Sequence, residues 1–397
     1  MKHPIKIWNI WRLLKEGRPR LLSKLLNIML VYVLASQAMA KMEFIVNDAQ
    51  KALSGKVEDD FVVGQANIKV IGCGGAGINA TDWLYKKGVK GAEIIALNTD
   101  KLHLDHREAD KKILIGKDIC RGLGCGGFPE KGHEAAKESI SEIKEHLRGA
   151  DMVFITSGMG GGTGTGSAPV VAQIAKDQGA IVIGVVTMPF NIEKARIDKA
   201  EWGLKQLRNC TDTVIVIDNN RLADIAGNLP IQQAFAVANE LIATMIKGIV
   251  EIIAVPSLIN LDYADVRAIM SAGGLSVIGI GESDTERRVE EAVNRALSNP
   301  LLDVKYDGAT GALIHITGGP DMTLDEAEKV GEMVTSSMDE TANIIWGARI
   351  DPKFQGKLRV MTIITGVKSP YVLGKMDYAK PSERAVSFNR ELGISML

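Results

Sequence analysis

The stretch Ser157-Gly158-Met159-Gly160-Gly161-Gly162-Thr163-Gly164-Thr165-Gly166-Ser167 constrains the fold more than any other part of the chain. The apolar run Met152–Thr156 precedes it and reads as a buried parallel strand. A helical pattern follows, with Pro169 near its first turn. The glycines therefore lie between the end of a strand and the start of a helix. Six of the nine residues from Gly158 to Gly166 lack a Cβ. Backbone there can enter positive φ and press its N–H groups against a ligand. The helix N-terminus adds partial positive charge, so the loop suits phosphate. No Gly-Lys-Ser/Thr follows, so this is not a Walker A loop. Backbone N–H groups, the Thr163 and Thr165 hydroxyls and a divalent cation would have to balance the phosphate charge. A flexible linker, the bland reading, is rarely gripped between a buried strand and a helix.

Two further glycine loops precede this one. Ile68–Ile71 reads as the first core strand, Gly72-Cys73-Gly74-Gly75-Ala76-Gly77 follows it, and Asn79–Lys86 reads as a helix. Alone, this match to G-x-G-x-x-G suggests a dinucleotide site. A second strand, Glu93–Leu97, ends in Asn98-Thr99-Asp100, and Asp100 lies where an NAD-binding chain places its ribose acid. An NAD-dependent Rossmann oxidoreductase is therefore the rival reading. It leaves the richer loop at 158–166 without a use. The third loop runs Arg121-Gly122-Leu123-Gly124-Cys125-Gly126-Gly127-Phe128, and Glu134–Leu147 beyond it reads as one amphipathic helix. Strands are also expected at Ala180–Val186 and Thr213–Ile217, the second ending in Asp218-Asn219-Asn220. Open α/β sheets bind ligands at that carboxyl edge.

Gly-Gly-Gly-Thr-Gly-Thr-Gly at 160–166 is the signature of the tubulin/FtsZ superfamily, and its flanks, Gly158-Met159-Gly160 and Ser167-Ala168-Pro169, resemble the FtsZ family. The resemblance spans roughly residues 62–367. It implies an α/β fold: a Rossmann-like GTPase domain with a parallel sheet, a long central helix and a smaller α+β C-terminal domain. It implies GTP or GDP, with Mg2+, as the bound nucleotide. Residues matching the family's nucleotide contacts are Gly74, Gly75, Ala76, Asn79 and Asp100, then Gly126 and Gly127 of the loop that meets the γ-phosphate. They continue through Gly160, Gly161, Gly162, Thr163, Gly164, Thr165 and Gly166. Phe128 stands where the family commonly has Asn. Glu193 and Arg196 match the family's ribose and phosphate contacts, and Asn219 its guanine contact; the bland readings are an ion pair on one helical turn and a helix cap.

A helical pattern from Gln232 to Ala254 is apolar over a broad face, as a helix between two domains requires. Phe235 and Asn239 lie four apart on it, and match the family's base-stacking ring and base-pairing amide. Glu240 stands where the family more often has Asp. Beyond comes Asn260-Leu261-Asp262-Tyr263-Ala264-Asp265-Val266-Arg267. Asp262 and Asp265 are three apart at a helix start, where carboxylates share a face and are favoured in ionised form. Ordinary helix capping is the bland reading. Asn-x-Asp-x-x-Asp-Val-Arg resembles the family's synergy loop, which implies that Asp262 and Asp265, with Asn260, complete the site of the next subunit in a head-to-tail polymer. A non-hydrolysing tubulin-like filament is a third reading, against which the intact Asp pair counts.

The remaining pattern suggests strands at Ser276–Gly281, Ala312–Thr317, Ile344–Arg349 and Arg359–Thr365, with helices at Asp284–Leu297 and Leu324–Met338. The expected domains are an N-terminal extension (1–61), a GTP-binding domain (62–231), the central helix and synergy loop (232–267), the C-terminal α+β domain (268–367) and a tail (368–397). In the family such a tail docks adaptor or membrane-anchor proteins. The resemblance places the protein in the cytoplasm, at a mid-cell division ring.

Residues 1–41 do not resemble the family. A basic start, an apolar run at 25–40 and Ala38-Met39-Ala40 have the form of a secretory signal. Export would part a GTPase from its nucleotide. Translation from Met42 or Met39 is the first reading, a membrane-seeking anchor the second and a working signal the last. The net charge of −1 gives no reason to expect a nucleic-acid partner. Cys73, Cys120, Cys125 and Cys210 lack zinc spacing and read as reduced thiols. His103 and His106 read as a solvated face, and no metal site is expected.

Overall fold

The computed structural model describes residues 66–367, apart from 256, 271–275, 299–305, 307–308, 337 and 340. The readings made for 1–65 and for the tail at 368–397 lie outside the described residues. Strands β1 (Ile68–Cys73), β2 (Ala92–Asn98), β3 (Lys111–Leu114), β4 (Met152–Gly158), β5 (Ile181–Met188) and β6 (Thr213–Asp218) form a parallel sheet. Their order is β3-β2-β1-β4-β5-β6. The chain winds outward from β1 to β3, then returns to β1's other side. That reversal opens a crevice at the carboxyl ends of β1 and β4. Register sharpens it: Cys73 pairs with Leu97 on one side and Ser157 on the other, so three strands end level. β1 is buried throughout and β4 up to Gly158, as a parallel sheet covered on both faces requires.

Helices α1 (Gly74–Lys87), α2 (Lys101–Asp105), α3 (Pro129–Glu138), α4 (Ile140–His146), α5 (Thr163–Asp177) and α6 (Ala195–Cys210) connect the strands. Three local expectations among these helices need correction. α1 starts at Gly74 rather than Asn79, so the first glycines are its opening turn. Likewise α5 starts at Thr163, and Pro169 sits inside it rather than near its first turn. The single helix expected over 134–147 is broken at Ser139. Its hydroxyl accepts the Gly116 N–H at 3.3 Å, and its own N–H turns back to Ala136 O at 3.2 Å. β3 was not foreseen, because a four-residue edge strand with one fully buried side chain, Ile113, carries almost no period-2 signal.

After α7 (Asn219–Ala226) comes α8 (Ile231–Ala254), about 36 Å long at 1.5 Å per residue. Ala238, Ile242, Met245, Ile246 and Ile249 form its buried stripe. One flank is tied to α1, where Trp83 Nε1 donates to Glu240 at 2.8 Å and Lys87 pairs with the same carboxylate. Its Gly248 lies against Met361 of the second sheet. That sheet comprises β7 (Ser276–Ser283), β8 (Gly311–Gly318), β9 (Asn343–Ile350) and β10 (Leu358–Thr365), in the order β7-β10-β8-β9. β10 runs antiparallel to both neighbours, whereas β8 and β9 are parallel. Between α8 and β7 lies α9 (Tyr263–Met270); α10 (Arg288–Leu297) and α11 (Leu324–Thr335) follow and are joined by Arg288, which reaches Glu326 at 2.7 Å and Asp321 at 2.6 Å.

His315 on β8 is 6% exposed, and its Nε2 has no partner among the described residues. Burial, helped by the Arg349 charge, pushes its pKa down to about 4. An unfolded imidazole takes up its proton near pH 6.5. Between those values the unfolded chain binds the extra proton, so stability falls as pH drops from 6.5 to 4. The loss levels off below that, at up to about 3 kcal/mol. We expect His315→Leu to flatten this stretch of the denaturant midpoint plotted against pH. An unchanged slope would mean that other groups set the acid limit.

Candidate functional site

All three glycine loops meet at the level ends of β1, β2 and β4. Among the described residues no side chain caps the N-termini of α1 and α5, so no capping group satisfies their first N–H groups. They also touch. Gly74 has φ of +71°, and a Cβ there would lie 2.6 Å from the Gly164 nitrogen. A Cβ on Gly164 would lie 2.5 Å from Ser157 Oγ and 3.0 Å from the Cys73 and Gly158 carbonyls. Only hydrogen fits between the two loops. Gly75 and Ala76 are exposed at the mouth, and Asn79 is half-buried one turn in.

The loop at 158–166 is held in shape from within. Gly160 N–H donates to Thr165 Oγ1 at 2.9 Å, and Met159 N–H to Thr187 O at 2.9 Å. Thr163 Oγ1 lies 2.6 Å from Thr99 Oγ1 and donates to Cys125 Sγ at 3.4 Å. A Cβ on Gly162 would meet Cys125 Cβ at 2.7 Å, whereas one on Gly161 would meet nothing among the described residues within 4 Å. Cys125 to Phe128 form a tight turn: Phe128 N–H donates to Cys125 O at 3.1 Å, and Gly126 and Gly127 have φ of +62° and +79°. That is the type I′ geometry, which glycine pairs favour. Asp100 caps α2 by accepting the His103 N–H at 3.1 Å, and bridges to Leu123 of the third loop.

Two side chains beside these loops were not read as part of the site. His103, expected on a solvated face, is instead half-buried, with Nε2 3.1 Å from Asn79 Oδ1 and Nδ1 3.4 Å from the Asn98 amide. Burial, then the Arg107 charge, lowers its pKa, so it is neutral at pH 7. Lys199 of α6 donates to Gly127 O at 2.6 Å. Its three-residue spacing from Arg196, one helical turn, was the available signal.

Glu193 and Arg196 do form the i,i+3 ion pair of the bland reading, at 2.6 Å. Glu193 also accepts the Phe190 N–H at 3.0 Å, and the Arg196 backbone lies against Gly160. Asn219 opens α7 at the end of β6, but Asp218 makes the cap, by accepting the Asn220 N–H at 2.8 Å. Phe235 is 42% exposed and stands edge-on to Phe190, with ring centroids 6.2 Å apart. It is therefore not plain core. A cavity of about 230 Å³ opens beside both rings, floored by Leu222 and Ala226. Asn239 lies one turn further along α8 and is half-buried.

Asn260, Asp262 and Asp265 are elsewhere. Tyr263 Oη donates at 2.7 Å to Asp151 O, at the amino end of β4, whereas the glycines follow its carboxyl end. The strand between them is about 20 Å long. The acids cap their own helix reciprocally: Asp265 N–H donates to Asp262 Oδ1 at 2.8 Å, and Asp262 N–H to Asp265 Oδ2 at 3.0 Å. Asn260 accepts the Ser257 N–H at 3.1 Å. Asp262 is exposed and Asp265 half-exposed. The loop before them is fastened to the second sheet, where Ile259 and Ala348 exchange two backbone hydrogen bonds of 3.0 and 3.2 Å.

Known proteins resemble this chain in sequence and in fold. Residues 67–227 match the tubulin/FtsZ family, GTPase domain, and residues 274–368 the FtsZ family, C-terminal domain. "Cell division protein FtsZ 2" of Methanocaldococcus jannaschii is 59% identical over 322 residues, covering 80% of this chain and 84% of that protein. Its namesake in Haloferax volcanii is 53% identical, covering 83% of this chain and 82% of its own. The solved "FtsZ dimer, empty" of M. jannaschii aligns with a TM-score of 0.72 at 48% identity, covering 85% of this chain and 97% of that one. This chain belongs to the FtsZ family, within the tubulin/FtsZ group of GTPases.

Proposed function

We propose that the protein is a filament-forming cell-division GTPase in which each nucleotide is hydrolysed between two subunits. One observation carries the reading: the glycine loops and the Asp262–Asp265 pair lie at opposite ends of β4 in a single molecule. A nucleotide in the loops cannot meet the acids of its own chain. It can meet those of a second copy stacked end to end, and a contact of that kind propagates into an open filament. The relatives' names as cell division proteins, and the solved FtsZ dimer of M. jannaschii, support the same reading.

On this reading Gly74, Gly75 and Ala76 with Gly160 to Gly166, including Thr163 and Thr165, hold the phosphates through backbone N–H groups and two uncapped helix ends. Gly126 and Gly127 close on the terminal phosphate. Asn79 and Asp100 line the first loop's side of the pocket. Glu193 and Arg196 reach ribose and phosphate. Asn219 and Asn239 present amides to the base, and Phe235 offers it a ring face. The next subunit's Asp262 and Asp265, with Asn260, orient the attacking water. Mg2+ bound with GTP would neutralise developing phosphate charge. The domains divide at 62–231, 232–267 and 268–367, with an extension at 1–61. The tail at 368–397 would recruit adaptor or anchor proteins to a cytoplasmic ring at mid-cell.

The test is right-angle light scattering of the full chain with Mg2+ and, in turn, GTP, GDP, ATP and NAD. Scattering should rise with GTP and decay as phosphate is released. No GTP response, or an equal one with NAD, would overturn the proposal. A hydrolysis rate per molecule that stays constant on dilution would remove the shared site.

A further inference from the structure

Phe128 takes the place of an expected polar residue, and its surroundings show what it does there. The side chain is 53% exposed, yet two ammonium groups flank it: Lys199 Nζ is 5.3 Å and Lys131 Nζ 5.6 Å from the ring centroid. Both distances lie within the range of cation–π attraction. Lys199 Nζ also donates to Gly127 O at 2.6 Å. One lysine on α6 thus grips the carbonyl of the type I′ turn and the ring that ends it. The turn itself is two glycines with left-handed backbone, which alone would be free to change shape.

The geometry points to Lys199 as a positioning residue that holds the Gly126–Gly127 turn closed, with Phe128 as the handle it grips. This rests on the reading above, in which that turn meets the terminal phosphate of GTP. A clasp of this kind acts on the nucleotide only when that phosphate is present. It therefore sets the preference for triphosphate over diphosphate, rather than nucleotide affinity as a whole. Arginine keeps the donor and the cation, and methionine keeps most of the apolar stem while losing both.

The experiment compares parent, Lys199→Met and Lys199→Arg as full chains, measuring dissociation constants for GTP and GDP with Mg2+. Lys199→Met should weaken GTP binding about tenfold, the loss expected for one charge-assisted hydrogen bond, and change GDP binding less than about twofold. Lys199→Arg should recover most of the GTP affinity. Phe128→Leu should show the same selective loss, smaller in size. An equal loss for both nucleotides, or none for either, would overturn the clasp. A parent chain that binds neither nucleotide would instead overturn the reading of the site on which the clasp depends.

Discussion

Replacing Asp262 by Asn should cut GTP hydrolysis about a hundredfold or more while leaving GTP binding and filament assembly intact. Asn is the informative choice because Asp262, beyond its proposed part in hydrolysis, caps its own helix. Its Oδ1 accepts the Asp265 N–H at 2.8 Å and so caps α9. Alanine would remove that bond at a cost of about 1 kcal/mol, mixing a folding defect into the kinetics. Asparagine caps a helix as well as aspartate does, yet carries no charge to polarise a water. Filaments of the variant should therefore persist after the parent's have decayed. Phosphate release at the parent rate would remove the acid from the mechanism.

The second large effect is expected at Gly164. A methyl there would press on Ser157 Oγ and on the Cys73 and Gly158 carbonyls, all within 3.0 Å. Two loops would have to separate, and overpacking of this kind costs about 1–3 kcal/mol. Gly164→Ala should weaken GTP binding by roughly tenfold to a hundredfold, measured by nucleotide titration. Gly161→Ala, in the same glycine run, would meet no atom of the described residues within 4 Å, so it is the contrast in packing alone. The two variants also test sharing. Gly164→Ala keeps good acids on a damaged pocket, and Asp262→Asn the reverse. Mixed together, they should recover part of the turnover that each lacks, because one kind of contact joins the intact pocket to the intact acids. No recovery at any ratio would mean that each chain hydrolyses with its own residues alone.

Features confined to one short stretch were the ones visible in the sequence. The loop at 158–166 could be read because its strand, glycines and helix are consecutive, and the capping of Asp262 and Asp265 because their three-residue spacing fixes it. What depended on distant partners could not be read. Ser139 breaks a helix because Gly116 requires its hydroxyl. His103 leaves the solvated face because Asn79 and Asn98 lie across from it. Lys199 is one charged residue among several on α6 until Gly127 is brought to it. Among the glycines, sequence gives no way to rank Gly161 against Gly164; only the neighbours filling the missing Cβ positions do so.

The placement of loops and acids at the two ends of β4 has an arithmetic consequence. If hydrolysis is shared as proposed, a string of such subunits would contain one working junction fewer than it has members, since the terminal loops would face no neighbour. A pair would consume only one of its two nucleotides, and the unspent triphosphate would always sit at the same tip. Output per molecule should thus climb with length toward a plateau, and the two tips should gain and lose subunits at unequal speeds.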